Sequence, residues 1–297
     1  MTVAPAAPVG PPAAPPSVRA WVGPALVLGG AIAIGFAPIG LRLSEFGPQA
    51  TAFWRFVFAL PVIAGAILAT GGRIGRPPLF ALLAGVFFGL DIAFWHASLK
   101  LTSVANATFL VNLGNASVGL IAWLVLKERP SRIWAVAYAV ALAGAFMLSR
   151  GAANASAGAF QGDLLALLAA AMVALYLFFT KLARHKTDAL NVLFWTTVTD
   201  VVVSAGAIGV TGERVLPPEA SWFIVPAALA VVAHVAGQGL IVAGVGRTPA
   251  SVAGLLLLVQ PVAAGLVAWA LFSEILSPVQ IGGAALVLVG VWIAGRR

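Results

Sequence analysis

Cysteine is absent from the 297 residues of this chain, and charged residues make up only 9% of it. The absence of cysteine excludes disulfides, thiolate metal sites and cysteine nucleophiles. The scarcity of charge excludes an ordinary soluble domain, in which about 25% of the residues are charged. Hydrophobic residues instead reach 61%, and the mean hydropathy is +1.04. These values predict a protein that is integral to a membrane.

The N-terminal residues 1–19 are a segment of different composition, because they begin "MTVAPAAPVGPPAAPPS" and are rich in proline and alanine. They lack the basic start and the continuous apolar core of a signal peptide. We predict a disordered extension of polyproline II type, with a partner-docking tail as the alternative.

The remainder divides at charges, Gly/Pro clusters and helix caps into about ten apolar segments. Each approaches the ~20 residues that a helix needs to cross the hydrocarbon core. The clearest turns are "GGRIGRPP" (71–78) and "TGERVLPPEAS" (211–221), and "SPVQ" from Ser277 to Gln280 is a helix start. The predicted spans are 21–42, 49–70, 79–99, 104–126, 132–149, 163–183, 189–210, 221–244, 250–272 and 278–295.

The distribution of positive charge predicts the orientation. Placing the N-terminus in the cytoplasm puts twelve of the 17 Lys and Arg residues on the cytoplasmic side, four on the other side, and Arg55 within the second span. This bias fits an even number of spans with both termini in the cytoplasm, and we predict a multi-pass protein of the bacterial inner membrane. The net charge of +8 is thereby explained. No basic patch remains for nucleic acid.

Two stretches of the chain repeat each other. Residues 97–131 and 243–277 align without a gap at an offset of 146. Each half then holds about five spans, and an odd number places the second copy upside down, as in many secondary transporters. The predicted fold is therefore an all-α integral membrane protein of ten transmembrane helices. They form two inverted five-helix repeats, 20–150 and 151–297. The matched pairs include Thr102 with Thr248, Leu110 with Leu256, Trp123 with Trp269, and Glu128 with Glu274.

At this point the sequence resembles the EamA family of the drug/metabolite transporter (DMT) superfamily. The resemblance rests on the repeat, on "FWRFVFALPV" in the second span, and on the endings "GLIAWLVLKER" and "GLVAWALFSEIL" of the fourth and ninth spans. It implies export of amino acids and other small metabolites, most closely in the manner of YddG-type amino-acid exporters. One departure is Asn115, where such proteins often have a proline; the ninth span keeps its proline as Pro261.

Polar residues on one face of the fourth span are the first candidate binding site. Thr108, Asn112 and Asn115 follow one another at i, i+4 and i+7, which is one side of a helix. They predict either a cavity wall for a zwitterionic solute or hydrogen bonds between helices, worth about 0.6 kcal/mol each. Gln260, from the symmetry-related ninth span, favours the cavity.

The third span contributes Asp91 and Trp95, which lie on one face. A charge at the membrane centre costs about 2.5–3.5 kcal/mol on insertion scales. Asp91 is therefore predicted to bind a substrate ammonium, to carry a proton, or to form an ion pair with Arg55. Arg55 itself lies near the non-cytoplasmic surface, which allows snorkelling. His96 points about 140° away from Asp91.

The second half contributes further candidates. His234 and Gln238 are i, i+4 neighbours among small residues, which predicts either a cavity or close helix packing. Tyr176, with Phe178 and Phe179, supplies an aromatic cavity wall or faces lipid. Asp91, His96 and His234 are the titratable candidates for proton coupling. Asp200 has no assigned role, and Glu128 and Glu274 are interpreted as structural carboxylates that favour the next helix's N-terminus.

The predicted function is a secondary transporter that exports small metabolites, amino acids foremost, by alternating access. Another metabolite or drug class, an intramembrane aspartyl enzyme using Asp91 and Asp200, and a channel are the alternatives. The chain has no nucleotide-binding loop, and no cofactor or metal is expected. The expected partners are a small-molecule substrate and the lipid bilayer, and the oligomeric state is left open.

Overall fold

The computed structural model describes residues 21–102, 104–127, 131–150, 159–272 and 277–295. Every regular element in these ranges is a helix, and they contain no strand, which confirms the all-α prediction. The N-terminal extension predicted over 1–19 lies outside the described residues. So do Glu128 and Glu274, for which a structural role at helix ends is predicted.

Thirteen α-helices make up the described residues, together with one 3₁₀-helix before α9 and one π-helix between α9 and α10. The elements in chain order are α1 (Val22–Ile34), α2 (Ala37–Leu43), α3 (Pro48–Ala69), α4 (Leu79–Ser98), α5 (Val104–Leu126), α6 (Arg132–Arg150), α7 (Ala159–Arg184), α8 (Ala189–Thr211), the 3₁₀-helix (Ala220–Phe223), α9 (Ile224–Leu229), the π-helix (Ala230–Gln238), α10 (Gly239–Val245), α11 (Ala250–Leu257), α12 (Gln260–Phe272) and α13 (Pro278–Gly295).

Eight helical segments of the described residues are long and apolar enough to cross a membrane. α1 and α2 together form the first of these segments, and α11 and α12 together form the last. Two shorter apolar helices, Arg132–Leu148 and Pro278–Ala294, accompany them. The chain is therefore a multi-pass membrane protein, whereas the count of ten spans stays a prediction.

Helix starts follow the expected capping chemistry. The Ser277 hydroxyl accepts from the Gln280 backbone N–H at 3.3 Å, and the Gln280 side chain accepts from the Ser277 N–H at 2.9 Å. This reciprocal pair is a capping box, so the start of α13 predicted at "SPVQ" is confirmed. Asp188 similarly caps α8 by accepting from the Asn191 N–H at 2.9 Å.

Three of the predicted spans are not single α-helices. The first breaks at Gly35–Phe36, the ninth breaks at Leu258–Val259, and the eighth passes through 3₁₀, α and π segments. Both breaks lie just before a proline, Pro38 or Pro261. A proline has no N–H for the carbonyl four residues earlier, and its ring clashes with that carbonyl.

The helices pack as a bundle in which elements from both halves of the chain interleave. α4 packs against α7 and α8, α3 against α8, α1 against α10, α5 against α7 and α11, and α6 against α13. The largest cluster of buried side chains includes Phe56, Phe88, Tyr176 and Leu177. This cluster borders the cavity described next.

Candidate transport site

A cavity of about 120 Å³ lies between helices from both halves of the chain. A cavity of about 150 Å³ accepts a molecule the size of benzene. This one therefore has room for a small solute of only a few heavy atoms. All nine residues predicted to bind substrate contribute to its lining: Thr108, Asn112, Asn115, Asp91, Trp95, Tyr176, His234, Gln238 and Gln260.

The two amides of α5 bond within their own helix. The Asn112 side-chain amide donates to the Thr108 carbonyl at 2.7 Å, and the Asn115 amide donates to the Asn112 side-chain oxygen at 3.0 Å. Both residues are buried, at 3% and 4% exposure, and both line the cavity. These two donor hydrogen bonds therefore lie within α5.

The π-helix positions His234 and Gln238 on the opposite wall. The His234 Nε2 lies 2.8 Å from the Thr197 hydroxyl of α8, and the Gln238 amide donates to the Tyr176 hydroxyl of α7. The His234 ring also contacts the Phe56 ring edge-on, at 4.9 Å between centroids. π-helical turns occur frequently at functional sites. Here the π-helix joins three neighbouring elements at the cavity.

Arg55 and Asp91 bring opposite charges to this cavity. Arg55 is 8% exposed and its guanidinium lies over the Phe56 ring, 4.6 Å from the centroid, so the expectation that it snorkels is wrong. The Arg55 Nε and Nη2 and the Asp91 Oδ1 are buried without a hydrogen-bond partner. No ion pair of 4 Å or less joins these two described residues. The predicted Arg55–Asp91 ion pair is therefore absent from the structure.

Asp200 lies on α8, which packs against α3 and α4, but it does not line the cavity. Its side chain is fully buried in α8, and both carboxylate oxygens lack a hydrogen-bond partner. Among the described residues, no group of three or more His, Asp and Glu side chains is suited to a metal ion.

Three residues considered for the site lie outside the cavity lining. His96 is buried at 3% exposure and its ring lies 5.2 Å from that of Trp95. Phe179 stacks on Phe87 at 5.4 Å, and Phe178 packs against Phe179. Tyr176 is therefore the aromatic residue of α7 that reaches the cavity.

The two helix breaks also open onto the cavity. Pro261 leaves the Leu257 carbonyl without its α-helical donor, and Pro38 does the same for Ile34. Leu257 and Ile34 both line the cavity. At the first break, a Cβ on Gly35 would lie 2.6 Å from the Ala263 Cβ, so glycine permits this close approach. Sequence reasoning missed Ile34, Gly35 and Pro38; a proline inside an apolar span was the available signal.

Broken helices that line a small cavity inside a multi-pass helical bundle are a feature of membrane transporters. The chain belongs to the EamA-like transporter family of the DMT superfamily, whose model matches residues 21–150 and 160–296. The family membership indicated by the sequence is thereby confirmed.

Two relatives are also transporters by name. The chain is 30% identical to the uncharacterized transporter YwfM of Bacillus subtilis (strain 168) over 219 residues, which is 71% of each chain. It is 26% identical to an uncharacterized transporter of Archaeoglobus fulgidus over 288 residues, covering 93% of this chain and 97% of that one.

One solved crystal structure supports the fold. It superposes on 92% of this chain and 96% of its own chain with a TM-score of 0.79, at 18% sequence identity. At that identity the likeness concerns the arrangement of helices alone.

Proposed function

We propose that this protein is a secondary transporter that exports small zwitterionic metabolites, amino acids foremost, from the bacterial cytoplasm. The observation that carries the proposal is that Arg55 and Asp91, of opposite charge, line the same cavity. Each has a buried polar atom without a hydrogen-bond partner, and neither forms an ion pair with the other. Buried charges left in this way are costly unless a ligand completes them.

An α-amino acid carries an ammonium and a carboxylate, which are suitable partners for the two charged side chains of this cavity. Its ammonium suits the Asp91 carboxylate, and its carboxylate suits the planar fork of the Arg55 guanidinium. The indole N–H of Trp95 is also buried without a partner and offers one further donor. The remaining wall is apolar or amide, including Ile241 and Asn115, and accommodates a short side chain.

The cavity volume favours small metabolites over drugs. About 120 Å³ is less than the volume that accepts benzene. A drug-sized ligand occupies pockets of about 300–1,000 Å³. Among amino acids, this volume suits those with the smallest side chains.

Alternating access requires two halves that move against each other, and reciprocal contacts support the inverted repeat. A Cβ on Gly23 of α1 would lie 2.6 Å from the Thr248 hydroxyl. A Cβ on Gly162 of α7 would lie 2.8 Å from the Thr102 Cβ. Thr102 and Thr248 are repeat partners at the offset of 146. Each threonine therefore packs against a glycine near the start of the first helix of the opposite half.

α6 and α13 contact each other in the same reciprocal manner. A Cβ on Gly144 would lie 2.5 Å from the Gly283 carbonyl oxygen, and one on Gly290 would lie 2.6 Å from that of Ala137. At the offset of 146, Gly144 corresponds to Gly290 and Ala137 to Gly283. When each residue is replaced by its counterpart at this offset, the first contact becomes the second. This reciprocity supports domains at 20–150 and 151–297 that are related by a pseudo-two-fold axis.

The three candidates for proton coupling differ in their surroundings. Asp91 lines the cavity with an unpartnered oxygen. His234 also lines the cavity, but its Nε2 is engaged by Thr197. His96 lies behind Trp95, outside the lining residues. Asp91 is therefore the best placed of the three to exchange a proton for a substrate ammonium.

Uptake of labelled amino acids into proteoliposomes tests the proposal. We expect saturable flux and counter-flow, which distinguish a transporter from a channel. Arg55→Gln and Asp91→Asn should each lower the flux at least about tenfold, since each removes a charge-assisted hydrogen bond of about 1.5–3 kcal/mol. Absence of flux above empty vesicles across a broad amino-acid panel would refute the assignment of this substrate class.

A further inference from the structure

One end of the cavity lies where α5 crosses α11. Along α5 the lining residues extend from Thr108 to Asn115, and along the facing span they extend from Ala264 back to Leu257. Beyond Asn115 and Leu257, α5 packs directly against α11. Among the described residues of these two helices, none beyond this point lines the cavity. The crossing of α5 and α11 therefore closes this end of the cavity.

Glycine allows the two helices to meet backbone to backbone at this crossing. A Cβ on Gly254 of α11 would lie 1.9 Å from the Asn115 carbonyl oxygen, whereas ordinary van der Waals contacts of a Cβ begin near 3.4 Å. One turn further along α5, a Cβ on Gly119 would lie 3.0 Å from the Ser251 Cα. The two backbones are thus in contact over a full turn, and no solute passes between them.

A tryptophan of α6 holds both helices of the crossing. Trp134 is buried, and its indole N–H donates to the Ser251 carbonyl of α11 at 2.7 Å. Its ring also lies 3.0 Å from the position that a Cβ on Gly119 of α5 would occupy. One side chain therefore contacts α5 and α11 together, and its hydrogen bond stabilises the closed crossing.

The counterpart of this crossing in the repeat differs from it. At the offset of 146, Gly254 corresponds to Thr108 and Asn115 to Pro261. Thr108 and Pro261 both line the cavity. Because threonine carries a branched side chain, the backbone at Thr108 cannot approach the Pro261 carbonyl as closely as Gly254 approaches that of Asn115. The two ends of the cavity therefore differ in how tightly they can close.

We propose that the crossing of α5 and α11 is the cytoplasmic gate of this transporter, closed in this structure, and that Gly254 makes the empty protein favour this closed state. This inference rests on the transport function proposed above. The side follows from charge, because Lys127 after α5 and Arg247 before α11 are exposed at this end, and basic residues favour the cytoplasm. A solute exported from the cytoplasm enters only when this crossing separates.

Accessibility of a single cysteine tests the gate without any substrate. Val111 lines the cavity on α5, and the chain has no cysteine of its own, so Val111→Cys is a single reporter. A small, membrane-impermeant methanethiosulfonate is added to spheroplasts for access from the non-cytoplasmic side, or to inside-out vesicles for access from the cytoplasmic side. We expect labelling in spheroplasts to be at least about tenfold faster, because the minor state of such an equilibrium is sparsely populated.

Gly254→Ala in the reporter protein should open the gate. The closed crossing has no room for the added Cβ, whereas the separated helices accommodate it. The ratio of cytoplasmic to non-cytoplasmic labelling should therefore rise at least about tenfold. Gly206→Ala is the matched control, because a Cβ on Gly206 of α8 would meet nothing within 4 Å. This control should leave the ratio unchanged.

Trp134→Phe is a milder change at the same gate. It keeps an aromatic ring but removes the N–H that donates to the Ser251 carbonyl. Loss of one hydrogen bond from the closed state alone should raise the labelling ratio about 2- to 10-fold. This variant decides the inference if Gly254→Ala does not yield folded protein.

Two results overturn the inference. The first is an unchanged labelling ratio in folded Gly254→Ala, or in Trp134→Phe where the first variant does not fold, because these residues would then act in packing alone and their loss would lower only the unfolding midpoint. The second is faster labelling of the Val111→Cys reporter from the cytoplasmic side. Failure of the proposed amino-acid transport is separate, because it would show as absent flux while the labelling pattern is retained.

Discussion

Asn112 and Asn115 show, at the scale of single residues, how a polar side chain is kept in an apolar helix. Each amide donates one hydrogen bond within α5, to the Thr108 carbonyl and to the Asn112 side chain respectively. This local bonding reduces the cost of burial, which an unpaired amide would bear in full. Both side chains also line the cavity.

Replacement of Asn112 by leucine should lower transport more than stability. Asn112→Leu removes the donor and acceptor that we propose for the solute, at about 0.5–1.5 kcal/mol per hydrogen bond, so we expect about a 3- to 10-fold lower flux. The unfolding midpoint in detergent should fall only modestly, because leucine is similar in size and a strong helix former, although the Asn115 amide loses its acceptor at the Asn112 side chain. The measurements are proteoliposome flux and the unfolding midpoint.

Ser117→Ala is the matched control for this change. Ser117 lies on the same helix and donates to the Leu113 carbonyl, but it does not line the cavity. Its loss should leave the flux unchanged. Unaltered flux in Asn112→Leu would remove Asn112 from the proposed site.

At the scale of elements, α5 and α11–α12, whose sequences align at the offset of 146, differ in continuity. α5 runs unbroken from Val104 to Leu126, whereas its counterpart breaks at Leu258–Val259. The difference follows from one position, because Asn115 has an N–H for the helix and Pro261 has none. The two halves therefore present different backbone polarity to the same cavity.

Restoring the hydrogen-bond donor at the break should stabilise the protein and impair transport. Pro261→Ala supplies an N–H to the Leu257 carbonyl, and proline within a helix costs about 3 kcal/mol relative to alanine. We expect the unfolding midpoint to stay or rise and the flux to fall, because the break lines the cavity. Pro61→Ala is the control, since Pro61 lies inside α3 away from the cavity. Undiminished flux in Pro261→Ala would mean that the break is not needed.

At the scale of the whole molecule, Glu213 joins the two halves of the chain at one end of the bundle. Its Oε2 accepts from the Gln49 and Ala50 backbone N–H groups at 2.8 and 3.0 Å, and its Oε1 accepts from Lys100 at 3.2 Å. A residue of the second half thus caps α3 of the first half, whose own N-cap, Gly47, has no side chain to do so. The carboxylate also suits the positive end of the helix dipole.

Loss of this cap should destabilise the bundle. Glu213→Ala leaves two N–H groups at the start of α3 unsatisfied, so we expect a loss of about 1–2 kcal/mol, seen as a lower thermal unfolding midpoint in detergent. Lys100→Ala should cost no more than about 0.5 kcal/mol, because the Lys100 side chain is 55% exposed. Equal losses in both variants would assign the stabilisation to the ion pair instead.

The proposed orientation can be tested because the chain has no cysteine of its own. Ile74→Cys lies in the turn predicted to be cytoplasmic, and Glu219→Cys lies in the turn predicted to be on the other side; both positions are exposed. A membrane-impermeant thiol reagent added to spheroplasts should label the second and spare the first. The reverse pattern would contradict cytoplasmic termini and the positive-inside assignment.

Composition and periodicity sufficed for the membrane class and for the inner face of α5. Apolar length identifies a span, and the i, i+4, i+7 spacing of Thr108, Asn112 and Asn115 identifies its inner face, because both are properties of one helix. Arg55 was misplaced for the same reason. The depth of Arg55 in the second span follows from the sequence, whereas the burial of its side chain depends on the neighbouring helices.

The sequence by itself determined a multi-pass helical membrane protein of the EamA-like family, since hydrocarbon tolerates only helices and closed barrels and the chain's apolar segments are long enough to cross it. Only the tertiary structure decided which charges meet. Arg55 and Asp91 are far apart in the chain and lie on different helices, and the cavity that both line exists only because these helices pack together. Such relations arise from contacts between helices, which the periodicity of a single helix does not contain.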